Sequence, residues 1–314
     1  MIALYGALGV AAAVVFIAIL VRAHLACRRL RTTHLRLCIQ DLPEPLCSLR
    51  LVFLCDLHAG TLYVTPAELL AAVERAAPDL LLLGGDYAAG RRHRGAGLDL
   101  VAQLARGRTS FGILGNIEHY VQFDREQLEA ALAPGGGALL VNEARRVQVD
   151  GATAEVVGLD VPEGACADID AAFSQASGDA DVRVVLVHSP AIWQELAPLD
   201  AHIVLCGHTH GGQIRPPGLE APMTHLSYPA RLAAGLFRYD PRQQPMPQRL
   251  ASHWRILSRG ERPITVSAGP GPLLYVSRGV GTSALPVRFL CPPELVLIEL
   301  LRAEKAQDAR RADE

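Results

Sequence analysis

Seven polar side chains stand just past apolar, strand-length runs, and their types are those of metal chemistry. Asp56 and His58 follow the run Leu49–Cys55, Asp86 follows Leu80–Leu83, and Asn116 follows Ser110–Leu114. His188 follows Val182–Val187, and His208 and His210 follow Ile203–Cys206. Taken singly, each has a plainer use. An Asp after a strand caps a helix, Gly84-Gly85-Asp86 makes a turn, His188 suits a core, and alternating histidines suit a half-exposed strand edge. Taken together, two carboxylates, one amide and four imidazoles are the donors that a pair of hard-to-borderline divalent ions needs. No thiolate belongs to the set, which disfavours a structural zinc site. A carboxylate bridging two cations roughly 3.5–4 Å apart lowers the pKa of a bound water and yields a hydroxide nucleophile near neutral pH. The same ions offset charge building on a phosphoryl oxygen. Such a centre hydrolyses phosphate esters or phosphoanhydrides without a covalent protein nucleophile.

The elements that must position these residues alternate between strand and helix. Thr65-Pro66 opens a helix, with Thr as N-cap and Pro at the first helical position, and Leu69, Leu70 and Val73 recur at helical spacing. Further helices are expected near Gly97–Ala105, Arg125–Leu132 and Ile169–Ala176. Arg146–Val149 and Ala154–Leu159 form a hairpin-type pair around Asp150-Gly151. This is an α/β chain, and in such folds sites form beyond the carboxyl ends of strands.

The motifs resemble, in order, those of the calcineurin-like metallophosphoesterases: Asp56-x-His58, Gly85-Asp86, Gly115-Asn116, His188 and Gly207-His208-Thr209-His210. CGHTHGGQI at 206–214 and YVSRGVGTSALPVRFLCPPELVLIEL at 275–300 look closer still to a membrane-associated bacterial branch. The resemblance covers about residues 48–300. It implies a four-layer α/β/β/α sandwich and two divalent ions, for which Mn, Zn or Fe are all compatible. It also implies that Asp56, His58, Asp86 and His210 hold one ion. Asp86, Asn116, His188 and His208 would hold the other, with Asp86 bridging.

The chain departs from the family pattern in two places. The family usually reads Gly-Asn-His-Glu or Gly-Asn-His-Asp at its third motif. Here Gly115-Asn116-Ile117-Glu118-His119 puts Ile117 where the resemblance implies a histidine that protonates the leaving group. His119 is the nearest substitute. The second departure is a long segment between Gly212 and Tyr275, which Pro241, Pro245 and Pro247 mark as loop. It reads either as a surface insertion or as a lid, with Leu232, Leu236 and Phe237 facing core, membrane or an acyl chain.

Residues Ile2–Val21 carry no charge and match the ~20 residues of a membrane-spanning helix. The alternative is a cleaved signal, but no basic segment precedes the run, and the Leu25-Ala26-Cys27 that resembles a lipoprotein site lies beyond Arg22 and His24. Arg22, Arg28, Arg29, Arg31 and Arg36 follow the run with no acid before Asp41, which keeps the catalytic domain cytoplasmic on a single-pass inner- or plasma-membrane anchor. The expected organisation is an anchor at 1–22, a basic juxtamembrane linker with a first strand at 23–47, the phosphoesterase domain at 48–301 and a charged tail at 302–314.

With 314 residues, half of them hydrophobic and 20% charged, the chain can bury a large core and is not disordered. Its 30 basic against 32 acidic residues and its 5% aromatics exclude a general nucleic-acid binder. Cys27, Cys38, Cys47, Cys55, Cys166, Cys206 and Cys291 contain no CxxC pair and read as free thiols. The expected function is hydrolysis of a phosphorylated small molecule or a lipid-linked substrate such as a nucleotide-diphosphate glycolipid, with Arg91, Arg92 and Arg94 nearby. Two alternatives are a metal-binding but catalytically weak regulatory or scaffolding protein, motivated by Ile117, and an anchored partner-binding domain without metal.

Overall fold

The computed structural model describes residues 1–303 apart from 177, 218, 223–229, 240–246, 261 and 270. In chain order the elements are α1 (Ile2–Ala26), β1 (Arg31–Ile39), β2 (Arg50–Leu54), α2 (Pro66–Ala76), β3 (Leu80–Leu83), α3 (Arg94–Ala105), β4 (Thr109–Gly112), α4 (Asn116–Tyr120), α5 (Arg125–Leu132), β5 (Ala138–Leu139), β6 (Glu143–Val149) and β7 (Ala152–Gly158). Then come α6 (Ile169–Ser174), β8 (Val182–Leu186), α7 (Trp193–Leu196), β9 (Ile203–Cys206), β10 (Gly235–Arg238), β11 (Gln248–Ser252), α8 (His253–Arg259), β12 (Ile264–Ser267), β13 (Leu273–Val276) and β14 (Glu294–Arg302).

Two seven-stranded sheets face each other, ordered β12-β1-β14-β2-β3-β4-β5 and β11-β10-β13-β9-β8-β7-β6. Strand alternation divides the apolar residues between layers. Leu51, Phe53, Leu80 and Leu82 of the first sheet meet Val184, Leu186, Ile203 and Leu205 of the second in the inter-sheet core. The intervening Val52, Leu54, Leu81 and Leu83 point outward under Leu69, Val73, Leu100 and Leu128 of the helices. Val185 and Val204 pack outward beneath Trp193 and Leu196. The result is the α/β/β/α sandwich. Strands covered on both faces read as unbroken apolar runs, as the four leucines of β3 do. The capping at Thr65 is reciprocal: its side chain accepts the Glu68 N–H and Glu68 accepts the Thr65 N–H.

The segment between Gly212 and Tyr275 is not one loop. Within the described residues it supplies β10, β11, α8 and β12, and so strands to both sheets. Leu232, Leu236 and Phe237 have no exposed surface and belong to the core rather than to a membrane- or acyl-facing lid. Pairing of β10 with β13 and of β12 with β1 is what makes these short stretches strands. Pro241 and Pro245 lie outside the described residues, as does the charged tail beyond Ala303.

Segment 23–47 is built into the sandwich. Helix α1 runs on to Ala26, and β1 lies between β12 and β14 in the first sheet. A fragment beginning near residue 40 therefore lacks an interior strand. Helix α1 carries the one described segment long and apolar enough to cross a membrane, Leu4–Ala26. Leu4, Val10, Val14 and Phe16 on it are all exposed, whereas Ala23 and Cys27 at its end are buried. All seven cysteines are free thiols.

Candidate metal centre

Strands β2, β3 and β4 run parallel, as do β8 and β9, so their carboxyl ends gather at one edge of the sandwich. That edge carries all seven residues singled out by their position after strands. The His58 and His210 Nε2 atoms lie 3.0 Å apart, and His58 Nε2 lies 3.4 Å from Asp86 Oδ2. Asp56 Oδ1 stands 3.9 Å from His210 Nε2. On the other side of Asp86, the same Oδ2 lies 3.5 Å from His188 Nε2. His188 Nε2 is 3.1 Å from Asn116 Oδ1, which is 2.8 Å from His208 Nδ1. Asp56, His58 and His210 thus form one group, Asp56, Asp86 and His188 a second, and Asp86 faces both halves of the site.

The donor chemistry fits cations. His188 Nδ1 donates to the Gly84 carbonyl at 2.8 Å, which leaves its Nε2 to face the Asn116 carbonyl oxygen and the Asp86 carboxylate. One positive charge has to sit among these oxygens, either a proton on His188 or a cation in its place. Burial works to raise the Asp86 carboxyl, but His188 and then His58 outweigh it and hold it below the usual range. Burial also works against a charged His188, yet the Asp86 carboxylate prevails and pushes it up to about 10. The pocket demands positive charge.

Backbone geometry enforces this convergence. Asp56, His58, Asp86, His208 and His210 all have φ between 44° and 68°, a left-handed conformation that costs non-glycine residues on the order of 1–3 kcal/mol each. Tight turns right after the strands aim five of the seven side chains inward. Close packing behind them requires glycine: a Cβ on Gly207 or Gly279 would come 2.6 Å from Asp56 Oδ2. Asp56 is held by the His208 N–H at 3.0 Å, and Asp86 Oδ1 by the Ile117 N–H at 2.9 Å.

Several residues outside the seven donors matter here. Buried Glu118 accepts the N–H groups of Asp86, Tyr87 and Gly115 at 2.7, 2.9 and 2.8 Å, tying two site loops together. Buried Arg288 donates to the carbonyls of Arg278 and Cys291 at 2.9 and 3.1 Å and lies 3.5 Å from His210 Nδ1. A cavity of about 320 Å³ opens over His58, Asp86, Asn116, His208 and His210, walled by Ile117, Tyr120, Glu163 and Ser283. Glu163 places Oε1 3.8 Å from His208 Nε2, while its buried Oε2 meets no partner among the described residues. Neither Arg nor Lys is among the described lining residues. Arg91 and Arg92 border a separate hollow. Ile117 lines the cavity as expected from the sequence, but His119 does not. It sits two residues further around α4 and bonds Asp160 at 2.6 Å, so the structure does not bring it to the leaving-group position.

Comparison with known proteins agrees with this geometry. The pattern of the calcineurin-like phosphoesterase family matches residues 49–212, which is just over half of the chain and includes all seven residues. The chain is 29% identical over 261 residues to phosphodiesterase YaeI of Escherichia coli (strain K12), across 80% of this chain and 82% of that one. It is 27% identical over 173 residues to the metallophosphoesterase YkoQ of Bacillus subtilis (strain 168), across 54% and 63%. To a metallophosphoesterase of Aquifex aeolicus (strain VF5) it is 26% identical over 298 residues, across 91% and 98%. The chain belongs to the calcineurin-like phosphoesterase family and is a hydrolase acting on phosphoester bonds.

Proposed function

We propose that this is a membrane-anchored, two-metal phosphoesterase whose catalytic edge faces the bilayer, and that it cleaves a phosphoester or phosphoanhydride bond of a membrane-associated substrate. The observation that carries the metal reading is the convergence of seven donors on Asp86. In this reading Asp56, His58, Asp86 and His210 hold one ion and Asp86, Asn116, His188 and His208 the other. Mn²⁺, Zn²⁺ and iron all suit the mixed nitrogen and oxygen set. When bound, the ions supply Lewis-acid activation of a water and neutralise phosphoryl charge. The protein's own share is to fix that geometry. Gly84 sets the His188 tautomer, Glu118 and Ile117 hold the Asp86 loop, and Asn116 supplies a neutral donor.

The membrane reading is supported by where α1 meets the sandwich. Strand β1 starts opposite Glu294, and β14 runs antiparallel to β2, so Arg31 lies at the same end as the carboxyl terminus of β2. The Arg288 N–H donates to Ala23 of α1 at 3.0 Å, and His24 of α1 donates to the Pro286 carbonyl at 2.8 Å. The helix thus leaves from the site end, and a substrate held in the same bilayer has a short path to the cavity. A nucleotide-diphosphate glycolipid combines a phosphoanhydride with such a tether. In this reading the arginines that follow the apolar run favour a cytoplasmic catalytic domain.

The test is metal-dependent turnover by the full chain in mixed micelles. A nucleotide-diphosphate glycolipid should be cleaved with Mn²⁺ and not after chelation, and Asp86→Ala should be inactive. Turnover that survives both treatments would overturn the reading. Metal binding without turnover of any phosphodiester or anhydride would favour a regulatory role. A reporter active only in the cytoplasm, fused after Glu314, should work, and silence there would overturn the orientation.

A further inference from the structure

A second cavity, of about 270 Å³, lies at the foot of α1. Its walls come from the last turn of α1, the start of β1, helix α8 and the 288–292 loop. Arg22, Arg29, Arg31, Arg278 and Arg288 all line it, and no carboxylate does among the described residues. Arg278 is neutralised by Glu294, with Nη2 2.8 Å from Oε1. Buried Arg288 donates to carbonyl oxygens and faces the His210 ring, with no ion pair among the described residues. Arg22, Arg29 and Arg31 are exposed and have no ion pair among the described residues.

Gathering like charges around one hollow is unfavourable unless an anion joins them. Guanidinium groups converging from several sides match the tetrahedral oxygens of a phosphate, which they bind in bidentate pairs. The location narrows the source of that phosphate. At ~1.5 Å rise per residue, the uncharged run Ile2–Val21 covers about 30 Å, the thickness of the hydrocarbon core. Arg22 is the first residue beyond it, so the cavity opens at headgroup depth. Ile256 and Leu257 of α8 also line it, giving an apolar side against which acyl chains or glycerol can lie.

We propose that this cavity is a binding site for the headgroup phosphate of an anionic phospholipid. The proposal rests on α1 spanning a bilayer. It assigns the arginines a job distinct from setting topology: they seat the sandwich on one lipid, close to the loop whose Arg288 backs His210. Because Arg288 reaches both the lipid cavity and the metal edge, the lipid would fix the tilt of the catalytic edge against the membrane.

The experiment is native mass spectrometry of the full chain released from detergent micelles doped with phosphatidylglycerol or phosphatidylcholine. One phosphatidylglycerol per chain should be retained, at least ~10-fold over phosphatidylcholine, as expected for a charge-assisted contact. The exposed pair Arg29→Gln/Arg31→Gln should cut that retention about five-fold or more, with metal-dependent turnover of a soluble chromogenic phosphodiester unchanged. Inorganic phosphate and glycerol phosphate should not displace the lipid. Equal retention of the two lipids, an unaffected double variant, or displacement by free phosphate would each overturn the proposal. Retention in carbonate-washed membranes tests the span separately, since loss there with selective lipid binding intact would refute the span alone.

Discussion

The carboxylate of Glu118 accepts the backbone N–H of Asp86 at 2.7 Å. The residue at the centre of the site is thus held by one 32 positions away that is not itself among the seven donors. Oε1 and Oε2 together take three amide donors. Glu118→Gln keeps the shape but turns an NH₂ toward N–H groups, leaving buried donors unsatisfied at about 1–3 kcal/mol. Thermal unfolding should show that loss, and metal affinity should fall with it. An unchanged melting temperature and full metal occupancy would refute the role.

Elemental analysis of the full chain after reconstitution with Mn²⁺ or Zn²⁺ should give two ions per chain. Asp86→Ala should lose most of both, because Asp86 stands within 3.5 Å of a nitrogen on each side. Asn116→Ala should weaken one site and spare the other. No metal on the wild-type protein would remove the basis for the proposed mechanism.

Ile117 lines the cavity and His119 is turned to Asp160, so the cavity lacks a histidine at the leaving-group position. Acid catalysis there is typically worth ~10²–10⁴-fold for a basic leaving group, whereas a departing phosphate, with its second pKa near 6, needs little. Log kcat/KM should therefore fall steeply as leaving-group pKa rises. Ile117→His should flatten the slope. Parallel slopes in the two proteins would dismiss the idea.

Glu163 adds a negative charge to a cavity with no described Arg or Lys in its lining. A terminal phosphate with two charges is repelled more than a diester or an internal anhydride phosphorus with one. Glu163→Gln should raise kcat/KM for a phosphomonoester relative to a diester, on the order of ten-fold or ~1.4 kcal/mol. An unchanged ratio would show that Glu163 has no part in selection.

Acid stability should fall in two stages. Burial, reinforced by Arg278 and Arg215, pushes His253 down from 6.5 to about 3. The unfolded chain then takes up the proton first, so stability present above pH 6.5 is lost as pH falls toward 3. The hydrogen bond from His34, aided by Arg36, holds Glu299 at about 2 instead of 4.5. Its contribution is present above pH 4.5 and is lost as pH falls toward 2. His253→Gln should blunt the first stage and leave the second. Denaturant midpoints across pH 2–8 provide the measurement, and a midpoint that does not change with pH would refute both stages.

How much of this was legible in the sequence depended on burial. β3 and β9 match their apolar runs to the residue because both faces are covered, and α2 matches its reciprocal cap. That the seven candidate donors would gather at one edge was legible because each lies one to four residues past such a run. Strands β10 and β12 were not, since their pairing partners, not their composition, make them strands. Glu163 is one acid among several in the loop after β7, and only folding brings it to His208. The role of Arg288 was not legible either, because it spans carbonyls drawn from separate turns.

Among the described residues strand β1 pairs with β12 and β14, and Arg31 meets a partner about 260 positions later in the chain. During synthesis β1 therefore leaves the ribosome well before β12 and β14 and waits for both. Closing so long a loop is slow. If α1 inserts as the chain grows, the waiting strand is already pinned beside the membrane. The last strands then have a surface to search rather than a volume, and the sheet closes at the place where the enzyme will work.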